Sequence, residues 1–416
     1  MTKVLITGMG AISPLGADRL STFAAALAGR CAIGPATPEI AKWLPQVLVA
    51  PAAVDPRSLL DNCHAQLDRA TQFALVAAKE ALADAGVAAS PDGARRFGVY
   101  VGIGFGGAQT VDALYTRLHN TLQNGQGNRS PTVVHPLSVP RMMANAAAAT
   151  VSMQYGLRGP SNTYSVACAS SAVAIGEAFR AIRDGYLDAA VVVGTEAMLT
   201  PGAMLAWNAL RVMAKPDAAD PARSCRPFAL NRSGFVLGEG AAAIVLESEA
   251  RAAIRQRAAF GELCGYGCSS DAAHLTAPSS EEQVVAMRQA LAQAGLEPEQ
   301  IQYLNAHGTA TDAGDVVEAQ SIRTVFGQAA TRLAVSSTKS MHGHLIGASG
   351  ILEFVLSMMA MNSGSLPPTA TLDTPDPRCD LDFIPLTARH GCEVSAIMSN
   401  SFAFGGSNVS LVARRC

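Results

Sequence analysis

Short apolar runs rich in Val, Ile and Leu alternate with alanine-rich stretches of helical length along the whole chain, and the alternation runs through twice. Strand-length runs separated by helix-length ones call for a sheet with helices packed on its faces, the α/β arrangement. The first pass predicts strands over residues 4–7, 97–103, 189–193 and 241–247, and helices over 72–85 and 170–183. An Ala/Arg-rich helical stretch at 249–258 precedes the second pass, with strands at 301–305, 333–336 and 396–399 and helices at 282–294 and 348–361. At 416 residues the chain exceeds what one core ordinarily serves, so two units are expected, spanning 1–255 and 256–416. Apolar residues make up 49% and charged residues 15%, a balance that supports a buried core and excludes disorder.

The two passes echo each other. Phe235-Val236-Leu237-Gly238-Glu239-Gly240 leads into an apolar strand near the end of the first, and Phe402-Ala403-Phe404-Gly405-Gly406 leads into 409–412 at the end of the second. A strand, a polar turn and an Ala/Gly-rich helix surround Cys168 and recur between Lys339 and Glu353. Two similar halves facing each other would place a site where they meet. A net charge of −2 supplies no basic field for nucleic acid. No run of 18 apolar residues suggests a membrane span, and the N-terminus lacks the long apolar stretch of a signal peptide. Nine scattered cysteines, an odd number, fit reduced thiols in a cytoplasmic protein. Cys264 and Cys268 have too few further ligands nearby for zinc, and no metal is expected.

Four segments carry chemistry. In Tyr164-Ser165-Val166-Ala167-Cys168-Ala169-Ser170-Ser171 a strand-like run breaks into small residues before an Ala-rich helix. Cys168 then lies at a strand-to-helix turn, where the helix N-terminus lowers a thiol's pKa and offers N–H groups to an oxyanion. Read alone, a cysteine among Ala and Ser is more often a buried structural thiol. In Asn305-Ala306-His307-Gly308-Thr309-Ala310-Thr311 an apolar strand ends in a loop that presents an imidazole and two hydroxyls, or else a histidine that only bonds to the turn backbone. In Ser336-Ser337-Thr338-Lys339-Ser340-Met341-His342-Gly343-His344 a lysine and two histidines share a turn whose neighbours are small or apolar. A charge there needs a buried partner unless the loop is simply solvated. In Ser399-Asn400-Ser401-Phe402-Ala403-Phe404-Gly405-Gly406 two phenylalanines flank a flexible glycine pair, either a tight turn or an aromatic gate.

In this order the four segments resemble the elongating β-ketoacyl-[acyl carrier protein] synthases of the thiolase-like superfamily. The resemblance runs from Val4 to Val412 and takes in Tyr155-Gly156-Leu157-Arg158-Gly159-Pro160-Ser161 and Ser269-Ser270-Asp271-Ala272-Ala273-His274. It implies a five-layer αβαβα sandwich of two duplicated halves, a homodimer, and no cofactor beyond the phosphopantetheine on which an acyl carrier protein delivers the substrates. It implies Cys168 as the acyl-carrying nucleophile, with His307 and His344 stabilising the enolate released from a malonyl thioester. Lys339 would order this cluster, paired with Asp315 and Glu318, with Glu353 a structural acid close by. Thr309 and Thr311 would hold the pantetheine arm. Phe404 would gate the site, its N–H joining that of Cys168 as the oxyanion hole.

Two features depart from the family pattern. The Lys/Arg doublets that meet the acidic carrier are missing at Asn62-Cys63-His64-Ala65-Gln66, leaving Arg69, Arg129 and Arg211 as docking candidates, and His342 stands where a small hydroxyl residue is usual. Fatty-acid elongation is the leading reading. A specialised ketosynthase for polyene or polyketide chains is the alternative, and a heterodimer with a related subunit stays open beside the homodimer. A non-catalytic chain-length factor would lack Cys168, and a thiolase would carry a second catalytic cysteine where Phe404-Gly405-Gly406 stands.

Overall fold

The computed structural model describes residues 2–89, 93–123 and 134–416. The first half contributes strands β1 (Val4–Ile12), β2 (Phe97–Gly102), β3 (Ser161–Tyr164), β4 (Ala189–Glu196) and β5 (Gly240–Ser248). The second contributes β6 (Gly261–Ser270), β7 (Tyr303–Asn305), β8 (Ala334–Ser336), β9 (Ala396–Phe402) and β10 (Ser407–Arg414). Their order across the sheet is β8-β7-β9-β10-β6-β1-β5-β4-β2-β3. Within each half the spatial order is therefore third, second, fourth, fifth, first. In both halves the first three in that row run parallel and the remaining two pairings are antiparallel. The halves join where β1 pairs antiparallel with β6, Val4 opposite Leu263. The weak echo in the sequence is thus a full topological repeat.

A matching pair of contacts lies on the outer faces. β1 continues past the expected 4–7 through Gly8 and Gly10, because helix α1 (Arg69–Asp84) crosses so closely that a Cβ at either would strike the carbonyl of Ala81 or Ala77. In the second half Gly265 and Gly267 of β6 meet Ala290 and Ala286 of helix α6 (Ser280–Ala294) in the same way. Glycine in each first strand and alanine one helical turn apart in each outer helix are what permit this approach.

Helices α2 (Ala108–Gln123), α3 (Ser138–Met142) and α4 (Ala146–Tyr155) extend the first half, α4 packing on β2 and on α1. Two helices fill the middle: α5 (Ser170–Arg183), which packs on β4 and β2, and α8 (Ser349–Ser363), which packs on β9 and also reaches β5 and α5. With α1 and α4 outside one half of the sheet, and α6 and α7 (Asp312–Phe326) outside the other, the layers are αβαβα as expected. Residues Ile346–Ser363 are long and apolar enough to cross a membrane by composition, but 89% of that window is buried, as suits the central layer of a core.

Candidate active site

Cys168 sits between β3 and α5, on the turn expected for it. Ala167 has φ +46°, a left-handed conformation costly for a residue with a Cβ. The Ser170 hydroxyl holds this turn, donating to the Ala167 carbonyl at 2.6 Å and accepting from the Val166 N–H at 2.9 Å. The thiol is 5% exposed. Its pKa does not follow the helix-terminus expectation. Burial pushes it up to about 12, and the Lys339 charge and the N–H groups of Phe404 and Cys168 oppose this only partly. Desolvation wins because the thiolate would be isolated in a nearly dry site.

His344 Nε2 lies 3.1 Å from Cys168 Sγ, and the rings of His307 and His344 stand edge to face at 5.4 Å. Burial, reinforced by the Lys339 charge, holds both imidazoles well below their usual pKa, so both are neutral. The expected partners of Lys339 need correction. Its ammonium pairs with Glu353 at 2.5 Å, donates to the His307 carbonyl at 2.6 Å and lies 3.5 Å from His307 Nδ1. Glu318 instead accepts the N–H groups of His307 (2.8 Å) and Gly308 (2.7 Å). Asp315 accepts the Phe228 N–H at 2.7 Å and lies 3.9 Å from Arg232. Burial raises all three carboxyls, Asp315, Glu318 and Glu353, to about 7. Glu353 is therefore the counter-ion, and Glu318 is the support of the histidine loop.

Cys168, His307, His344, Asp315 and Glu318 line a cavity of about 230 Å³ together with Thr309, Thr311 and Phe404, the two threonine hydroxyls 3.0 Å apart. Phe404 is half-buried and stacks on Trp207 at 6.4 Å, ahead of Gly405 and Gly406 with φ of +90° and +81°. The ligand atoms of Cys168, His307 and His344 fall within 4.8 Å of one another, a donor set that suits zinc, yet the Lys339 ammonium beside His307 opposes a second cation there. A nucleophilic sulfur, two neutral imidazoles and converging backbone N–H groups equip the cavity for acyl transfer and for stabilising an enolate.

The sequence model of the β-ketoacyl synthase N-terminal domain matches residues 1–252, and that of the C-terminal domain matches 260–373. The chain belongs to the β-ketoacyl synthase family. It is 39% identical to 3-oxoacyl-[acyl-carrier-protein] synthase 2 of Staphylococcus aureus, across 99% of this chain and 98% of that protein. A β-ketoacyl synthase from Burkholderia phymatum superposes with a TM-score of 0.88 at 35% identity, covering 100% of both chains. A ketosynthase structure of a type II polyketide system, solved in complex with its acyl-carrier protein, gives 0.90 at 26% identity, covering 100% of this chain and 99% of that one. The synthase is a condensing enzyme of the acyltransferase class.

Not every residue singled out in the sequence reaches the site of the synthase. Arg69 is held by Glu239 at 2.6 Å and is 18% exposed, so its charge is already answered. Arg129 lies outside the described residues. Arg211 is exposed, one residue from the cavity-lining Val212, and forms no ion pair among the described residues. His342 is fully buried with Nε2 3.0 Å from the Thr338 hydroxyl, and burial lowers its pKa to about 3. Sequence reasoning overlooked Phe235, whose ring meets that of His344 edge to face at 5.2 Å, and Ser349, whose hydroxyl lies 2.7 Å from His344 Nδ1. It also overlooked Glu196, which accepts N–H groups from Gly104 and Gly347 and so ties the loop after β2 to the turn after His344. The only sequence signal for Ser349 was its place five residues after His344, at the start of a helix.

Proposed function

We propose that this synthase elongates acyl chains in fatty-acid biosynthesis, condensing malonyl-acyl carrier protein with an acyl group held on Cys168. The observation that carries this reading is Cys168 Sγ lying 3.1 Å from His344 Nε2, with His307 alongside, on the floor of one cavity. In the first half-reaction the sulfur attacks the acyl thioester, the carbonyl oxygen gathers charge against the Cys168 and Phe404 N–H groups, and the pantetheine thiol leaves with the proton the cysteine gives up. In the second, the malonyl carboxylate departs as CO₂ and its electron pair passes into an enolate, whose oxygen the two imidazoles hold. The enolate carbon then attacks the acyl carbonyl, and the Cys168–acyl bond breaks to return a thiolate, which solvent reprotonates. Neutral imidazoles suit this task, because the developing oxyanion calls for N–H donors and a strong base is not required. Dry surroundings protect the carbanion from protonation.

The partner in this reading is an acyl carrier protein, docking at the cavity mouth beside Arg211. The enzyme works as a homodimer in the cytoplasm: β3 is one of the two edge strands of the sheet, open for a second copy, and all nine cysteines are free thiols. The test is condensation of malonyl-carrier with a ladder of acyl-carriers, products read by mass, for wild type, Cys168→Ala and Arg211→Glu. Wild type should add two carbons, Cys168→Ala should form no acyl adduct, and Arg211→Glu should raise KM for the carrier while sparing a small pantetheine thioester. An acyl adduct forming on Cys168→Ala at the normal rate would refute the reading.

A further inference from the structure

The backbone of His344 is pinned on both sides, its N–H donating to the Val236 carbonyl at 2.7 Å and its carbonyl accepting from the Gly238 N–H at 2.9 Å. What remains to be fixed is the ring: its rotation, and which nitrogen carries the proton. A neutral imidazole has one donor and one acceptor nitrogen, and the hydrogen bond made at one decides the state of the other. Two groups converge on Nδ1. The Ile346 N–H donates to it at 3.2 Å, from a residue held at φ +44°, where a β-branched side chain is strained. The Ser349 hydroxyl lies at 2.7 Å, and its oxygen already accepts the Leu345 N–H at 2.9 Å, so its own hydrogen is free to donate to Nδ1.

We propose that Ser349 is a positioning residue that acts through His344. The Ile346 N–H, which can only donate, keeps Nδ1 an acceptor and the proton on Nε2, and the Ser349 hydroxyl holds the ring's rotation so that this N–H aims at Cys168 and at the oxygen that gains charge beside it. Ser349 touches neither the sulfur nor the cavity, being 1% exposed at the start of α8. The longer Ile346 contact alone would leave the ring less firmly held, since hydrogen bonds weaken as they lengthen and bend. The importance of the tautomer rests on the condensing reaction proposed above, but the tautomer itself can be read without substrate.

The experiment is ¹⁵N NMR of histidine-labelled full-length enzyme, with His344 assigned by its absence in His344→Ala, alongside steady-state kinetics of wild type and Ser349→Ala. Wild type should show His344 Nδ1 unprotonated and Nε2 protonated. Ser349→Ala should keep Nδ1 unprotonated but shift or broaden the His344 signals as the ring gains rotational freedom, and lower kcat for malonyl decarboxylation by roughly 2- to 12-fold, the value of one neutral hydrogen bond. KM for malonyl-carrier should stay unchanged. A protonated Nδ1 in wild type overturns the proposal even if the variant does not fold. A variant with reduced kcat but His344 signals identical to those of wild type also overturns it, because the serine would then only support the fold. If Ser349→Ala perturbs the His344 signals as expected but wild type cannot condense carrier-bound substrates, the functional reading fails and the role of Ser349 stands.

Discussion

Replacing Glu318 by Gln separates the support of the histidine loop from the histidine itself. Each carboxylate oxygen accepts one backbone N–H, from His307 at 2.8 Å and from Gly308 at 2.7 Å, and the residue is 2% exposed. Glutamine offers one acceptor, and its NH₂ must face the other N–H. One charge-assisted bond, worth about 1.5–3 kcal/mol, becomes a neutral one, and the second N–H is left buried and unpaired at about 1–3 kcal/mol. Above pH 8, where the carboxyl is ionised, a net destabilisation of about 2–4 kcal/mol follows, readable as a lower urea midpoint with an unchanged slope. His307 remains present but shifted, so decarboxylation of a malonyl thioester should fall about 10- to 100-fold, while acyl loading of Cys168, followed by intact-protein mass, changes far less. The pH profile gives a second reading. Burial raises the wild-type carboxyl to about 7, so wild-type decarboxylation should decline as pH falls through that value and Glu318 takes up its proton. The decline should be shallower in Glu318→Gln, which has no proton to gain. Unchanged stability together with decarboxylation within two-fold of wild type would refute the view that this carboxylate holds the loop.

His307→Ala and His344→Ala should each cut decarboxylation by about 10²–10³; measured CO₂ release within a few-fold of wild type would assign that histidine another role. Folding stability should depend on pH in two stages. Glu196 is raised to about 8 and Asp315, Glu318 and Glu353 to about 7, all by burial, so the native state binds protons there that the unfolded chain does not. Their contribution is fully present at low pH and is lost as pH rises through 7–8, so the unfolding free energy should increase from pH 8.5 to pH 7, by up to about 1.4 kcal/mol per pH unit for each proton bound. The buried His307, His342 and His344 are shifted the opposite way, and their contribution is lost as pH falls below the unfolded value of 6.5. Denaturant titrations should therefore level off below pH 6.5, and a steady fall in stability from pH 8.5 to 7 would contradict the assignment.

The sequence by itself determined the reacting groups and part of the elements, though not α2, α4 or α7. Period and composition placed α5 at residues 170–183 with the bounds found in the structure, because an Ala-rich helix entered through small polar residues is decided locally. Cys168, His307, Lys339 and His344 were legible because each stands in a short turn of small residues between a strand and a helix, glycine-punctuated at His307 and His344, where the chain brings a side chain to the end of a sheet. The tertiary structure decided which groups pair. Asp315 and Glu318 follow His307 closely in sequence, yet Lys339 pairs with Glu353 on the central helix, since an ion pair between elements depends on how those elements cross. It also decided the charge states. The helix terminus favours a thiolate at Cys168, but desolvation by the surrounding fold outweighs it, and neither that burial nor the engagement of Arg69 by Glu239 is encoded near those residues in the chain. Ser349 was invisible for the same reason: a serine at a helix start is ordinary until the fold sets its hydroxyl against His344 Nδ1.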